Sequence, residues 1–520
     1  MISATTWVPQ GFAAEFPSRY EMDDEEVDRI SKLAQLRLDD ALEDLEEATE
    51  QLENAGTDEE QEEEIIVDTV PDEDVVTALK EEAALQETEI DDDLKEYDLE
   101  NYDNEPETDK QSLSMFSNIK NLAYYKSNDE DPYIILPKNE EGEVIDDLDE
   151  EEREELQILD SDSLLLVAKT EDNLSHVDVY VYETSEANLY VHHDILLPSF
   201  PLCVEWLDIR VGRSRTEENQ QGNFVAIGTF EPNIEIWNLD VVDEMYPDAI
   251  LGNSETKDKS PKKSKKGKKK SKKPEKRKAN DEYHVDAVLA LSSNRQHRNL
   301  LASGSADRTV KLWDLNSTKC VRSYSFHDDK VCSLAWHPEE GSVLLTGAYD
   351  RTVIASDMRL APENHRRWGV DADVESAKWD PHNSNFFYVT TESGKVFYLD
   401  ARTAPSSPRD AKSVWTLQAH DSEVTSFDVN KFVPGLIATG STDQHVKLWN
   451  ITPSGPSLQS SRDMGVGKVF SVSWLPDKDS ARHLAVGGSN GVIQVWDTKT
   501  NDSVRAEADG EDEGDSDDEE

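Results

Sequence analysis

A chain of 520 residues carrying 112 acidic against 53 basic residues, a net charge of −59 and a hydrophobic content of 36% has room for two or three domains but is too acidic to be packed throughout. One ordered region diluted by acidic, unfolded sequence is the reading that fits. Cys203, Cys320 and Cys332 have no ligand spacing, no leader opens the chain, and the apolar neighbourhood from Ile195 to Leu207 is broken by Pro198 and Pro201, so a reducing compartment is expected and a membrane span is not.

Residues 1–20 concentrate Trp7, Phe12, Phe16 and Tyr20 between Pro and Gly. So short a head has no core of its own. It either packs onto the chain's own domain or docks as a linear motif in a partner's groove, and its aromatics are candidate docking residues. From Asp23, Val27, Ile30, Ala34, Leu38, Ala41, Leu45, Ala48 and Leu52 step by three or four, which predicts an amphipathic helix over 23–54 whose stripe needs a partner helix or a domain edge. Acids dominate beyond Asn54. Two islands, Leu94, Tyr97, Leu99 and Tyr102, then Met115 and Phe116, read as further docking anchors or as part of a solvated, disordered run. Residues 1–130 are thus expected to form an acidic N-terminal extension, disordered or ordered by partners.

From residue 131 a strand-turn-strand unit recurs seven times, ending at Tyr182, Trp237, Trp313, Ser356, Leu399, Trp449 and Trp496, with separations of 43 to 55 residues and one of 76. Four short strands at such a period mark a propeller blade. Upstream first strands are visible at 203–207, 287–291, 331–338, 374–381, 424–429 and 469–476, and 156–163 is expected to serve the first unit. The expectation is an all-β, seven-bladed propeller over 131–507, because single blades bury their faces only against neighbours. Its last blade needs an outer strand, from DPYIILP (131–137), the preferred source, or from DSVRAE (502–507).

The 76-residue gap holds a basic loop (252–280). Its stretch from Lys257 to Lys278 has 14 Lys or Arg, among them Lys262, Lys263, Lys265, Lys266, Lys268, Lys269, Lys270, Lys272, Lys273, Lys276, Arg277 and Lys278. Aromatic-free lysine sequence contacts phosphates by charge without reading bases. Nuclear import alone, or import with RNA contact, are its two readings. The tail, 508–520, is acidic and disordered in expectation, and Ser516 is a candidate phosphosite within it.

These repeats resemble WD40 repeats, and the whole chain resembles the periodic tryptophan protein family of ribosome-assembly factors, through MISATTWVPQGF, IDDDLKEYDLENYD, SMF, DPYIILP, LYVHHDILLPSFPLCVEWL, AIGTFEPNIEIWNLD and the lysine loop. The resemblance implies a nuclear and nucleolar scaffold on early precursors of the large (60S) ribosomal subunit, with assembly factors, ribosomal proteins and pre-rRNA as partners. It also implies a hydrogen-bonded set in each WD40 blade: His284, Ser303, Asp307 and Trp313; His327, Thr346 and Asp350, with Ser356 in the Trp place; His420, Thr439, Asp443 and Trp449; and the blade tryptophans Trp237 and Trp496. The blade ending at Leu399 lacks the set. A group repeated blade by blade is a structural device, since a nucleophile and its base are needed once. His192-His193 has no third ligand at spacing. No enzyme, cofactor, membrane or small-molecule substrate is expected; the rival functions are chromatin or histone binding and ubiquitin-ligase substrate adaptor.

Overall fold

The computed structural model describes residues 1–20, 156–172, 174–211, 221–252, 280–360, 365–452 and 454–500. Short runs alternating apolar and polar residues between turn signals form strands, and they assemble into seven antiparallel blades, six of four strands and one of three among the described residues. Strands are numbered outward from the centre. Blade 1 comprises Ile2–Val8, Ser163–Glu171, Leu174–Glu183 and Asn188–Leu197; blade 2, Pro201–Ile209, Gln221–Thr229, Ile234–Asn238 and Ala249–Leu251; blade 3, Val288–Ser293, Leu300–Ser305, Val310–Asp314 and Lys319–Tyr324. Blade 4 comprises Val331–Trp336, Val343–Ala348, Thr352–Asp357 and His365–Gly369; blade 5, Val374–Trp379, Phe386–Thr391, Lys395–Asp400 and Trp415–Gln418. Blade 6 comprises Ser426–Val429, Leu436–Gly440, His445–Thr452 and Gly455–Asp463; blade 7, Val469–Trp474, His483–Gly488 and Ile493–Asp497.

First strands of consecutive blades abut around a closed circuit, in which Ile2–Val8 abuts both Pro201–Ile209 and Val469–Trp474. The fold is therefore the expected seven-bladed β-propeller, but its first inner strand is the N-terminus. The 156–163 stretch does not hold that position: Ile158 is a buried core residue and Ser163 opens the second strand of the blade. The register Trp7↔Leu165 and Leu165↔Tyr180 also places Tyr180, two residues before the expected Tyr182, in the Trp313 position, as Leu301↔Trp313 shows in blade 3.

Two fits recur between blades. A Cβ on Gly304 would lie 2.8 Å from Val331 of the next blade, on Gly347 2.8 Å from Val374, and on Gly440 2.5 Å from Val469. Gly487 receives Ile2 in the same way, at 2.7 Å. The absent side chain lets two sheets approach closely. Likewise the Trp336 indole N–H donates to the Ser292 carbonyl (3.0 Å) and Trp379 to Ala335 (3.1 Å), and Trp7 donates to Ser473 of blade 7 (3.1 Å). The amide of Thr5 adds a bond to Ser471 Oγ at 3.0 Å. With Ile2 and Trp7 only 1% and 6% exposed, the head is part of the propeller core.

The helix expected over 23–54, the anchors Leu94 to Tyr102, Met115 and Phe116, the lysines from Lys262 to Lys278, Ser516 and both candidate closing strands lie outside the described residues.

Candidate functional site

The polar set of blade 3 is a directional chain. The Trp313 indole N–H donates to Ser303 Oγ (2.8 Å), the Ser303 hydroxyl donates to His284 Nε2 (2.6 Å), and His284 Nδ1–H donates to Asp307 (3.0 Å). Blade 6 repeats it, with Trp449 to Thr439 at 3.0 Å, Thr439 to His420 at 2.8 Å and His420 to Asp443 at 2.8 Å. Blade 4 keeps His327 with Thr346 (2.8 Å) and Asp350 (3.0 Å), and the Thr346 hydroxyl, with Ser356 in the Trp place, also contacts the Ile354 carbonyl at 3.4 Å. Burial holds His284 and His420 below the usual imidazole range, against the opposing pull of their aspartates. Burial pushes Asp307 up, but hydrogen bonds from His284 and Thr309 outweigh it and hold the carboxyl at about 2. Neutral imidazole beside ionised carboxylate is the state that satisfies every donor and acceptor here.

Although the polarity matches a serine triad, Ser303, Thr346 and Thr439 are fully buried, so no substrate reaches them. What the aspartates hold is a turn. Arg308, Arg351 and Gln444, each following one of these aspartates, have φ of 70°, 63° and 71°, a left-handed conformation that costs a non-glycine residue about 1–2 kcal/mol. Asp307 Oδ1 offsets this by accepting the Thr309 amide (2.9 Å) and hydroxyl (2.6 Å). Blade 5 solves the same problem differently. Val389 and Leu399 are buried where Thr346 and Ser356 stand in blade 4, and the turn residue at φ 79° is Gly394.

Away from these sets, the start of the first strands of blades 5 and 6 borders a cleft of about 340 Å³ lined by Ala372, Glu392, Ser393, Ser422, Glu423 and Thr442. Burial, then the charges of Glu423, Glu392 and Asp373, push the Glu375 carboxyl up to about 7. At the other end of the same inner strands, Lys378 pairs with Asp428 at 2.9 Å, and at the corresponding end of blades 3 and 2 Arg295 lies 4.7 Å over Trp206. Blades 5 and 6 are thus acidic where their inner strands start and of mixed charge where those strands end.

The head residues are not presented outward as a motif. Phe12 meets Trp206 edge-on at 4.8 Å, Phe16 and Tyr20 are half-buried, and Ser18–Arg19 pairs in parallel with Val241–Val242. Trp237 and Trp496 are buried blade residues. His192 and His193 face each other, 2.8 Å between Nδ1 atoms, and burial brings His193 down to about 3; among the described residues no group of three His, Cys, Asp or Glu is placed to hold a metal, and no helix is long and apolar enough to cross a membrane. Sequence reasoning missed the role of Ile2, Thr5 and Trp7, though Ile2, Trp7 and Pro9 repeat the spacing of Val331, Trp336 and Pro338.

A closed ring of blades pinned by His–Ser/Thr–Asp turns defines a WD40 propeller. The WD domain, G-beta repeat family matches residues 279–314, 318–354 and 411–450, the three stretches that carry those turns. The chain is 51% identical, over 97% of its length and 90% of the relative's, to an uncharacterised WD repeat-containing protein of Schizosaccharomyces pombe. It is 42% identical, over 97% and 89%, to periodic tryptophan protein 1 of Saccharomyces cerevisiae, and 31% identical, over 67% and 70%, to the periodic tryptophan protein 1 homolog of Drosophila melanogaster. The chain belongs to the periodic tryptophan protein 1 family.

Proposed function

We propose that the protein is a non-enzymatic scaffold of ribosome biogenesis, holding assembly factors and ribosomal proteins together on early large-subunit precursors and pre-rRNA in the nucleolus. The observation that carries this reading is the relatedness to periodic tryptophan protein 1, at 42% identity over 97% of the chain. The burial of the His and the Ser or Thr of each set agrees with it, because those polar groups are spent on holding blades. Function then falls to the non-repeated segments. Leu94, Tyr97, Leu99, Tyr102, Met115 and Phe116 would dock assembly proteins, and the Lys262–Lys278 run would serve nuclear import and pre-rRNA phosphate contact. The acidic surfaces would meet basic ribosomal proteins, with phosphorylation of Ser516 adding charge.

Purification of the tagged full chain, with sequencing of bound RNA and identification of bound proteins, tests the reading. Precursors of large-subunit rRNA with assembly factors are expected. Nucleosomes without pre-rRNA would favour histone binding instead, a function named for a relative 24% identical over 25% of this chain, histone-binding protein MSI1 of Saccharomyces cerevisiae.

A further inference from the structure

The chain carries a net charge of −59, yet one rim of the folded ring has the opposite sign. At the end where the inner strands finish, the stretches 357–360, 365–369 and 400–414 of blades 4 and 5 hold six basic residues against three acidic ones. Two of those acids are occupied: Asp357 and Asp400 each grip the arginine two residues on, Arg359 and Arg402, through paired bonds of 2.8 and 3.0 Å. Arg366, Arg409 and Lys412 are exposed and, among the described residues, have no carboxylate partner.

The loop that presents these cations is fixed to the neighbouring blade. Arg366 donates to the Ala401 carbonyl at 2.8 Å and the Trp368 indole to the Thr403 carbonyl at 3.3 Å. A Cβ on Gly369 would lie 2.5 Å from the Pro408 carbonyl, so the short turn Pro408–Asp410 rests directly on the outer strand of blade 4. Beside the loop a ladder of aromatic rings crosses blade 5. Phe386 stacks on Tyr398 at 5.0 Å and Tyr398 on Trp415 at 5.2 Å, with the rings within 16° of parallel, and the Arg402 guanidinium lies 5.4 Å over Phe386. The three rings are half-buried, and Val414 beside Trp415 is 58% exposed.

We propose that this rim of blades 4 and 5 is a contact site for single-stranded RNA, with Arg366, Arg409 and Lys412 on phosphates and the accessible edge of the ladder against bases. Exposed cations meet phosphates without reading sequence, and flat rings accept any base. The opposite end of blades 5 and 6, where Glu375, Glu392 and Glu423 gather, repels a phosphate backbone and steers it to this rim. The site rests on the reading of the protein as a scaffold on pre-rRNA, and adds to it a surface on the ring itself, apart from the lysine run.

Photocrosslinking of the full wild-type chain to a thiouridine-labelled oligouridylate tests the site. Peptides holding Trp415 or the 401–414 loop should carry label, and label confined to other parts of the chain would overturn the proposal. In the full chain, Arg409→Ala with Lys412→Ala should shrink the slope of log affinity against log salt by about 1.4, two contacts of about 0.7 each on a single strand. The same change at Lys330 and Lys468, exposed where the inner strands start, should leave the slope in place. An unchanged slope in the rim variant would remove this site while leaving pre-rRNA contact through the lysine run, whereas a wild-type chain that binds no RNA would remove both. Polyglutamate that strips label from the rim better than polyuridylate at equal charge would assign the rim to an acidic protein instead.

Discussion

The seam between blades 3 and 4 and the seam between blades 7 and 1 join the same kind of surface by different routes. At the first, the chain runs on from Tyr324 into Val331, and Gly304 receives Val331. At the second, Gly487 receives Ile2, a residue at the other end of the chain, and Trp7 donates across the gap as Trp336 does between its blades. The local geometry is the same although the covalent connection differs, which teaches that blade interfaces are specified by nearest-neighbour fit rather than by chain continuity. What continuity changes is the entropy of closing the ring, since Ile2–Val8 must return to a blade whose next strand starts at Ser163.

Breaking the seam outright is expected to have the largest effect. Deleting residues 1–8 removes an entire inner strand and the burial of Ile2, Trp7 and Val8, each about 1.5–3 kcal/mol by area. The truncated chain should lose its cooperative melting transition in calorimetry, where a merely peripheral head would leave it in place. Trp7→Ala should cost about 3–5 kcal/mol in urea unfolding, within about 1 kcal/mol of Trp379→Ala at a continuous seam. A cost below about 1 kcal/mol would mean the head does not share in the ring.

Acid provides a milder probe on the other face of blade 1, the one packed against blade 2. His193 lies in blade 1 with its folded value lowered by burial to about 3, against about 6.5 in an unfolded chain. The unfolded state then binds the extra proton, so stability is present above about pH 6.5 and lost as the pH falls below it, by about 2 kcal/mol between pH 7 and 5. His284 and His420, lowered by burial, act in the same direction. Comparing wild type with His193→Asn at both pH values cancels the general effect of the −59 charge, and the variant should lose less stability on acidification.

The smallest expected effect sharpens the contrast between blades 3 and 5. Asp307→Ala should destabilise by about 1–3 kcal/mol through its lost bonds to a buried imidazole, and adding Arg308→Gly should restore about 1 kcal/mol by relieving the left-handed turn. In blade 5, where Gly394 already fills that place and its Cβ would strike the His420 carbonyl, Gly394→Ala should cost more than Arg308→Ala, measured by chemical denaturation.

Blades 3, 4 and 6 were legible in the sequence because the turns at Arg308, Arg351 and Gln444 are held by particular side chains: a His, a hydroxyl and an Asp fall at fixed intervals around each of these left-handed residues. Blade 5 hid its identity because Val389, Leu399 and Gly394 meet the same demands with apolar packing and a flexible turn, which leaves no polar signature. Blade 1 misled in two ways. Its second strand pairs with residues 2–8, and hydrophobic alternation carries no information about so distant a partner. Its third strand offers tyrosines at 180 and 182 on the same face, and only the register, with the bulge between Val179 and Tyr180 matching that between Leu312 and Trp313, separates them. The aromatic head looked like a docking motif because Trp and Phe suit a groove as well as a core; the interval from Ile2 to Trp7 to Pro9 was the signal that distinguished the two.

A double-mutant cycle on Gly487 and Ile2 tests the closure most directly, with Gly304 and Val331 as the continuous reference. A Cβ on Gly487 meets Ile2 at 2.7 Å, and one on Gly304 meets Val331 at 2.8 Å. Each glycine-to-alanine change should therefore cost about 1–3 kcal/mol alone. If the N-terminal strand closes the ring, Ile2→Ala will relieve the cost of Gly487→Ala by about 1 kcal/mol, as Val331→Ala relieves Gly304→Ala. Strict additivity at 487 and 2, beside coupling at 304 and 331, would contradict the account.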